Sequence, residues 1–425
     1  MHLPDAVAAT LLARLPPDAP AVACRRGADT LVGVAPDDVV AANGRAALDA
    51  IDALAPGFWV GWCAFELGHA VERVALVCAT HDAVAIPDIY FAQFRCVARI
   101  APDGAVTVDG DGDGRPLLEE AVAGARDPFA QRASMGAGAA PLEAGPWRSS
   151  LSRDDFEQRV DAVLDLLRAG ECYQVNLTRR LSTERSLDAV ALYREVVRRH
   201  PAPFAAFLRV EHNGTPVTVV SASPERYLAR RGRDVTTQPI KGTAPGPAEL
   251  RTSVKDHAEN VMIVDLARND LGRVCEPGTI HVPSLCAIEA HPGLHHLMST
   301  VHGVLRDDVT TGALLAATFP PASVTGAPKP RVLQVIESLE PVRRGVYCGA
   351  FGWIDTMQGA ADLSVAIRTF CVFDDRTELG VGAGIVADSS ATAEWDETEL
   401  KAARLLAAAA ARRPSSAPRA LAVAR

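Results

Sequence analysis

The chain has 425 residues, enough for two or three average domains or one large one. A hydrophobic fraction of 48% is that of a soluble globular protein able to bury a sizeable core. A net charge of −9 argues against a polyanionic partner, because nucleic-acid binders carry clustered basic charge.

In chain order, "GFWVGWCAFELG" (57–68) and "IYFAQFRCVARI" (89–100) are rich in aromatic and β-branched residues and predict strands. The "DGDGDG" run at 109–114 is a turn and lacks the ligand spacing of a calcium loop. Residues 122–146, rich in Ala, Gly and Pro without periodicity, predict a flexible linker. Ser152 then caps an amphipathic helix in which Phe156, Val160, Val163, Leu164 and Leu167 share a face, and Gly170 ends it. Beyond it, strand-like "VTVVSASPE", "YCGAFGWID", "LSVAIRTFCVF" and "ELGVGAGIV" interleave with helical "AENVMIVDLARNDL", "PRVLQVIESLE" and "WDETELKAARLLAAAAA". The last stretch, from 412, has no core pattern and predicts a loose tail.

Nine scattered cysteines without a Cys-x-x-Cys pair form neither a zinc pattern nor a disulfide framework and suit a reducing cytosol. The N-terminus lacks a signal-peptide pattern, and no apolar run reaches membrane-spanning length. The expectation is a cytoplasmic protein with no membrane partner.

Several residue patterns carry chemistry. Of 43 basic residues only four are lysine: Lys241, Lys255, Lys329 and Lys401. In so Arg-biased a chain, surviving lysines mark positions that need a compact or deprotonable amine, which guanidinium cannot supply. Asp256 with Glu259, and Glu394 with Glu397, are each spaced three apart at the start of a predicted helix, so each pair shares a face. Two such pairs would make an all-oxygen site suited to Mg²⁺; acidic residues also favour first helical turns for electrostatic reasons, so spacing alone leaves both open. Lys401 lies one turn beyond Glu397 on the same face. Arg368, inside apolar "SVAIRTF", is either a paired structural arginine or a carboxylate-binding one. His291, His295 and His296 lack ligand partners at zinc spacing. "GVGAGIV" and "SVTGAPK" match neither dinucleotide nor Walker loops.

Ten motifs in order resemble the chorismate-utilising enzymes, comprising anthranilate synthase component I, aminodeoxychorismate synthase component I, isochorismate synthase and salicylate synthase. They are "GECYQVNL", "SASPER", "PIKGT", "KDHAENVMIVDLARNDLGRV", "HHLMSTV", "SVTGAPK", "RRGVYCGAFGW", "AIRTF", "GAGIVADS" and "AEWDETELKA". The resemblance covers about 55–405. It implies an α+β fold with two large, mostly antiparallel sheets packed as a sandwich, helices outside and the site in the cleft between. It divides the chain into an N-terminal part of the sandwich (1–121), the linker (122–146), a chorismate-binding catalytic region (147–411) and the tail (412–425). It further implies that Asp256, Glu259, Glu394 and Glu397 surround Mg²⁺, and that Arg368, Tyr347 and backbone at Gly382 and Gly384 grip a substrate carboxylate. Thr243, Ser323 and His296 would line the ring, with His296 a candidate catalytic group, and Lys401 would sit beside the metal-bound carboxylate.

Within "PIKGT", aminodeoxychorismate synthases resemble this chain in having lysine, here Lys241, where anthranilate synthases carry a small residue. The lysine base that isochorismate and salicylate synthases use on water corresponds here to Gln174. The resemblance thus implies amination of chorismate at C4 through a covalent Lys241 adduct, with Glu225 as acid/base. No Gly-x-Cys-x-Gly-x-Gln motif is present, so ammonia is expected from a separate glutaminase subunit. No Leu-Leu-Glu-Ser segment is present, so tryptophan feedback is not expected. Phe319-Pro320-Pro321-Ala322 departs from the Gly-Gly that relatives carry in this loop. The alternatives are anthranilate synthase component I and, more remotely, an inactive chorismate-binding regulatory protein.

Overall fold

The computed structural model describes residues 2–74, 86–126, 142, 145–291 and 294–410. Among these residues, two antiparallel sheets dominate. The first has eleven strands, in the spatial order Gly326–Ala327, Gln174–Thr183, Thr377–Ile385, Thr369–Phe373, Thr215–Ser223, Phe204–His212, Ala21–Arg26, Asp29–Val34, Cys96–Ile100 and Val106–Gly110, with Arg148–Ser149 pairing Gln174–Thr183. The second has ten, in the order Ile240–Ala244, Leu294–Val304, Asp234–Gln238, Arg226–Arg231, Ala360–Val365, Ala350–Asp355, Phe58–Cys63, Ile89–Gln93 and Asp38–Ala42, with His281–His291 pairing Leu294–Val304.

Side chains that alternate across each strand separate the layers. Val22, Cys24, Leu208 and Val219 of the first sheet meet Val60, Trp62, Tyr90 and Phe351 of the second in the inter-sheet core. Trp62 stacks on Tyr90 there with ring centroids 4.9 Å apart. The opposite face of the first sheet, with Ala21, Ala23, Phe207 and Phe370, is covered by the helices Leu3–Leu12, Ala189–Arg199 and Ala391–Ala409. The outer face of the second is covered by Ala46–Asp52, Val254–Gly272 and Thr311–Thr318. The expected sandwich with helices outside is the fold observed. No described helix is long and apolar enough to cross a membrane.

The predicted helix after Ser152 spans Arg153–Arg168. The Ser152 hydroxyl accepts the Asp155 amide at 3.1 Å. Gly170, at φ +74°, closes it, with Gly170 N bonded to Leu167 O and Glu171 N to Leu166 O. The helix Arg115–Arg126 runs into the segment expected as linker; Leu142 is buried. The remainder of that segment up to 144, and the expected tail, lie outside the described residues.

Three predicted strands differ from expectation: in two the chain changes sheets inside an apolar run, and in the third the strand gives way to a helix. Residues 89–100 form Ile89–Gln93 in the second sheet and Cys96–Ile100 in the first. Residues 363–373 split between Ala360–Val365 and Thr369–Phe373. Residues 57–68 are a strand only to Cys63, followed by the short helix Leu67–Glu72. Both halves of such runs are buried, so hydrophobicity does not betray the switch. Arg368 is therefore not inside a strand but in the crossing, at φ +52°.

That crossing is double. Thr215–Ser223 pairs with Thr369–Phe373 in the first sheet, and Arg226–Arg231 pairs with Ala360–Val365 in the second. The two segments change sheets together and stay bonded: Ser223 Oγ donates to Val365 O at 2.6 Å, Val365 N to Glu225 O at 3.0 Å and Ala222 N to Arg368 O at 3.0 Å. Glu225 and Arg368 are thereby fixed at the crossing.

Arg344 anchors the floor beneath it. Its buried guanidinium donates to both Glu340 oxygens (2.9 and 2.6 Å), to Val324 O (2.9 Å) and to Asn176 O (2.6 Å), and lies 4.2 Å from the Phe65 ring centroid. Arg344→Met leaves Glu340 buried and unpaired and should cost about 3–5 kcal/mol in chemical denaturation. Arg168→Ala, which removes an exposed pair with Asp165, should cost at most about 0.5 kcal/mol.

Candidate active site

Lys241 sits in the Ile240–Ala244 strand where the ladder slips. Ile240 pairs with Met298 but Thr243 with His296, so three residues advance against two, a β-bulge. Gly242, within the bulge, has φ +80°, and an added Cβ would lie 2.9 Å from the Asp256 carboxyl carbon. The distortion turns the half-buried Lys241 toward the cleft, where its amine donates to Ser323 O at 3.3 Å. Withdrawal from water holds that amine below the ordinary lysine range; Glu259 and Glu225 oppose this, and Lys401 adds to it. At Gly384 a Cβ would stand 3.1 Å from the Gln174 amide nitrogen and 3.7 Å from the Lys241 amine, so the glycine keeps space open for both.

Glu225 is buried at the double crossing. Burial pushes its carboxyl up to about 7, with the Ser323 hydroxyl, Lys241, the Ile240 backbone and Arg368 pulling it back. The group can therefore hold a proton at neutral pH and release it there. His296 is buried in the Leu294–Val304 strand, and its Nδ1 lies 2.8 Å from the Thr243 hydroxyl. Burial, Arg368 and His291 lower it to about 4, so it stays neutral and serves as a hydrogen-bonding group rather than a cation. The Arg368 guanidinium has neither a hydrogen bond nor an ion pair among the described residues. Burial and Arg404 disfavour its charge while Glu225 favours it. An unpaired, half-buried guanidinium is suited to a carboxylate from outside the chain.

The acidic pairs open two helices, as expected. Ser253 caps Val254–Gly272, accepting Asp256 N at 3.2 Å, and Ser390 caps Ala391–Ala409, accepting Ala393 N at 3.4 Å. Glu259 and Glu394 are raised by burial, and neighbouring carboxylates, Asp256 and Glu397 for the first and Glu397 for the second, push them further. Glu397 is also pushed up by burial, but Lys401 at 2.6 Å, with Lys255 and Lys241, brings it below the ordinary range. Among the described residues no group of three or more possible ligands is drawn into coordinating geometry. Lys255 lies between the helices, its amine 3.8 Å from Glu259 and 3.8 Å from Glu394. The Ser389 hydroxyl donates to Glu394 at 2.6 Å.

Tyr347 packs its ring over Gly380, on the same face of the Thr377–Ile385 strand that carries Gly382 and Gly384. The Gly382 carbonyl accepts the Lys401 amine at 2.9 Å. Three of the four lysines thus stand in the cleft. The fourth, Lys329, is buried elsewhere, bonded to Asp270 at 2.8 Å and Thr318 O at 2.6 Å. Lys255, Ser389 and the orientation of Gln174 were missed from sequence. The lysine scarcity alone could have placed Lys255. Gln174 is wholly buried with both amide atoms unpartnered among the described residues, which no sequence pattern reveals.

The family of chorismate binding enzymes matches residues 22–407. The chain belongs to that family. Aminodeoxychorismate synthase component 1 of Klebsiella aerogenes is 41% identical over 295 residues, which is 66% of this chain and 64% of the relative. The match thus spans a little under two thirds of that protein's length. Anthranilate synthase component 1 of Thermus thermophilus is 36% identical over 376 residues, 82% of this chain and 76% of that one. Among solved structures, anthranilate synthase component I from Streptococcus pneumoniae superposes with a TM-score of 0.77 at 26% identity, covering 90% of this chain and 92% of its own.

In this member of the family the Glu225 titration is directly testable. A carboxylic-acid infrared band should fade as pH rises through about 7 and be missing from the Glu225→Gln difference spectrum. Glu66, also raised to about 7 by burial, remains in both proteins and cancels. Loss of the Glu225 band already in the ordinary carboxylate range would contradict the assignment.

Proposed function

We propose that this chain aminates chorismate at C4, giving 4-amino-4-deoxychorismate, and that it is the chorismate-handling component of an aminodeoxychorismate synthase working in the cytoplasm. The observation that carries the proposal is Lys241: an amine disfavoured as a cation, turned into the cleft by a bulge and facing the raised Glu225 carboxyl. The identity to aminodeoxychorismate synthase components supports the same reading.

The neutral Lys241 amine forms a bond to C2 of chorismate while the C4–O bond breaks, and Glu225 gives its proton to the departing hydroxyl, which leaves as water. Ammonia then forms a bond at C4 and the lysine departs from C2 with its electron pair. Arg368 holds one substrate carboxylate, with Tyr347 and the backbone at Gly382 and Gly384 along the same wall. Thr243, His296 and Ser323 border the ring, with His296 neutral, and Lys401 neighbours the second carboxylate. Ammonia is supplied by a separate glutaminase subunit.

Asp256, Glu259, Glu394 and Glu397 fit Mg²⁺ in chemistry, being oxygen donors on two helices whose mutual repulsion a divalent cation relieves. When bound, the metal would neutralise a substrate carboxylate and fix its position.

A second reading, anthranilate synthesis, is favoured by the longer match to the Thermus enzyme. Incubation with chorismate, Mg²⁺ and an ammonium salt separates the two: 4-amino-4-deoxychorismate is expected, and anthranilate as sole product overturns the proposal.

Without ammonia, a peptide containing Lys241 should gain the mass of chorismate less one water. Lys241→Arg should be as inactive as Lys241→Ala, because guanidinium stays protonated. Partial rescue by arginine, with no adduct in the parent protein, would point to a purely electrostatic lysine.

Glu259→Ala and Glu397→Ala should each abolish Mg²⁺-dependent turnover while leaving the unfolding free energy within about 1 kcal/mol of the parent. Normal activity and metal response in either variant would remove the carboxylates from the metal site.

A further inference from the structure

Glu225 releases one proton for each hydroxyl it expels, and it is buried, with the substrate covering its cleft side. It must regain one proton per turnover, either from the nucleophile entering the cleft or from the protein on its other side. Behind it lies a cavity of about 30 Å³ lined by Glu225, Tyr227, Ala267, Asp270, Thr318 and Ser323, among others. A water needs roughly 10–15 Å³ of such space, so one or two fit.

Polar groups line part of the cavity wall beyond Glu225. The Tyr227 and Thr318 hydroxyls are 2.6 Å apart. Lys329 donates to Thr318 O at 2.6 Å and to Asp270 at 2.8 Å at the far end; burial raises the Asp270 carboxyl, and Lys329 pulls it back only in part. Asp270 keeps 11% of its side-chain exposure and borders Arg273 and Glu72, of which Arg273 is open to solvent. The Lys329–Asp270 pair is otherwise a buried charge pair without a part in the chemistry.

We infer that this cavity is the return route for the Glu225 proton, passing through water between Glu225 and the Asp270–Lys329 pair, with Asp270 as the outer relay group. The inference rests on Glu225 being the acid of the proposed reaction. The steps balance without an oxidant or reductant. Asp270 takes a proton from solvent and passes it to cavity water, and that water gives one to the Glu225 carboxylate. Solvent in turn receives the proton that an ammonium ion sheds on entering as ammonia.

Asp270→Asn removes the relay group. Ala267→Leu fills the cavity while keeping the Asp270–Lys329 pair, and serves if loss of the Lys329 counter-charge unfolds the first variant. With the full chain, chorismate and Mg²⁺ but no ammonia, both variants should form the Lys241 adduct at the parental rate, since that step spends a proton already on Glu225. With ammonium added, steady-state turnover should fall at least roughly tenfold, with an increased solvent deuterium isotope effect and an unchanged KM for chorismate. Parental turnover with an unchanged isotope effect would overturn the relay, as would a loss confined to KM or to adduct formation. Absence of an adduct in the parent protein would instead count against the covalent reading, and the isotope effect on turnover would still decide the relay.

Discussion

Taking the Lys241 ammonium out of water costs free energy that its carboxylate neighbours, Glu225 and Glu259, only partly return, so the neutral amine gains ground. The same burial acts in the opposite sense on Glu225, where it favours the protonated acid. One desolvated space thus shifts the amine toward its uncharged form and the carboxyl toward its protonated form, side by side. That pairing is what a nucleophile and a leaving-group acid require at neutral pH.

The fold creates this space by geometry that few residues control. The double sheet crossing fixes Glu225 and Arg368 through backbone bonds, which leaves the Arg368 guanidinium unpaired among the described residues, while the Glu225 carboxyl is also held by the Ser323 hydroxyl and the Ile240 backbone. The bulge at Lys241–Gly242 and the missing side chain at Gly384 bring the amine to the neighbouring sheet edge. Beneath, the Arg344–Glu340 pair joins the 322–324 turn, the Gln174–Thr183 strand and the Lys329–Leu339 helix, so that Ser323 is presented to both Lys241 and Glu225.

Much of this was legible in the sequence. The i, i+3 acidic pairs did open two capped helices, and Ser152 and Gly170 bounded the helix between them as their chemistry dictates. The sandwich and the family followed from ordered motifs. Sheet crossings were not legible, because a strand buried in either sheet has the same composition, and Arg368 looked like a strand residue for that reason. Lysine scarcity marked all four lysines as positions needing an amine, and Lys241, Lys255 and Lys401 do stand at the site, but Lys329 shows the rule's limit: a buried structural pair also demands a compact ammonium. The unpartnered amide of Gln174 leaves no mark in the sequence at all.

The central claim is that burial makes Lys241 a nucleophile, and its protonation state can be read directly. With only four lysines, a chain labelled with ¹³C at lysine Cε gives a spectrum simple enough to assign by comparison with Lys241→Ala. A pH titration should show the Lys241 signal changing below the ordinary lysine range. A Lys241 signal that titrates at the ordinary lysine value would contradict the account.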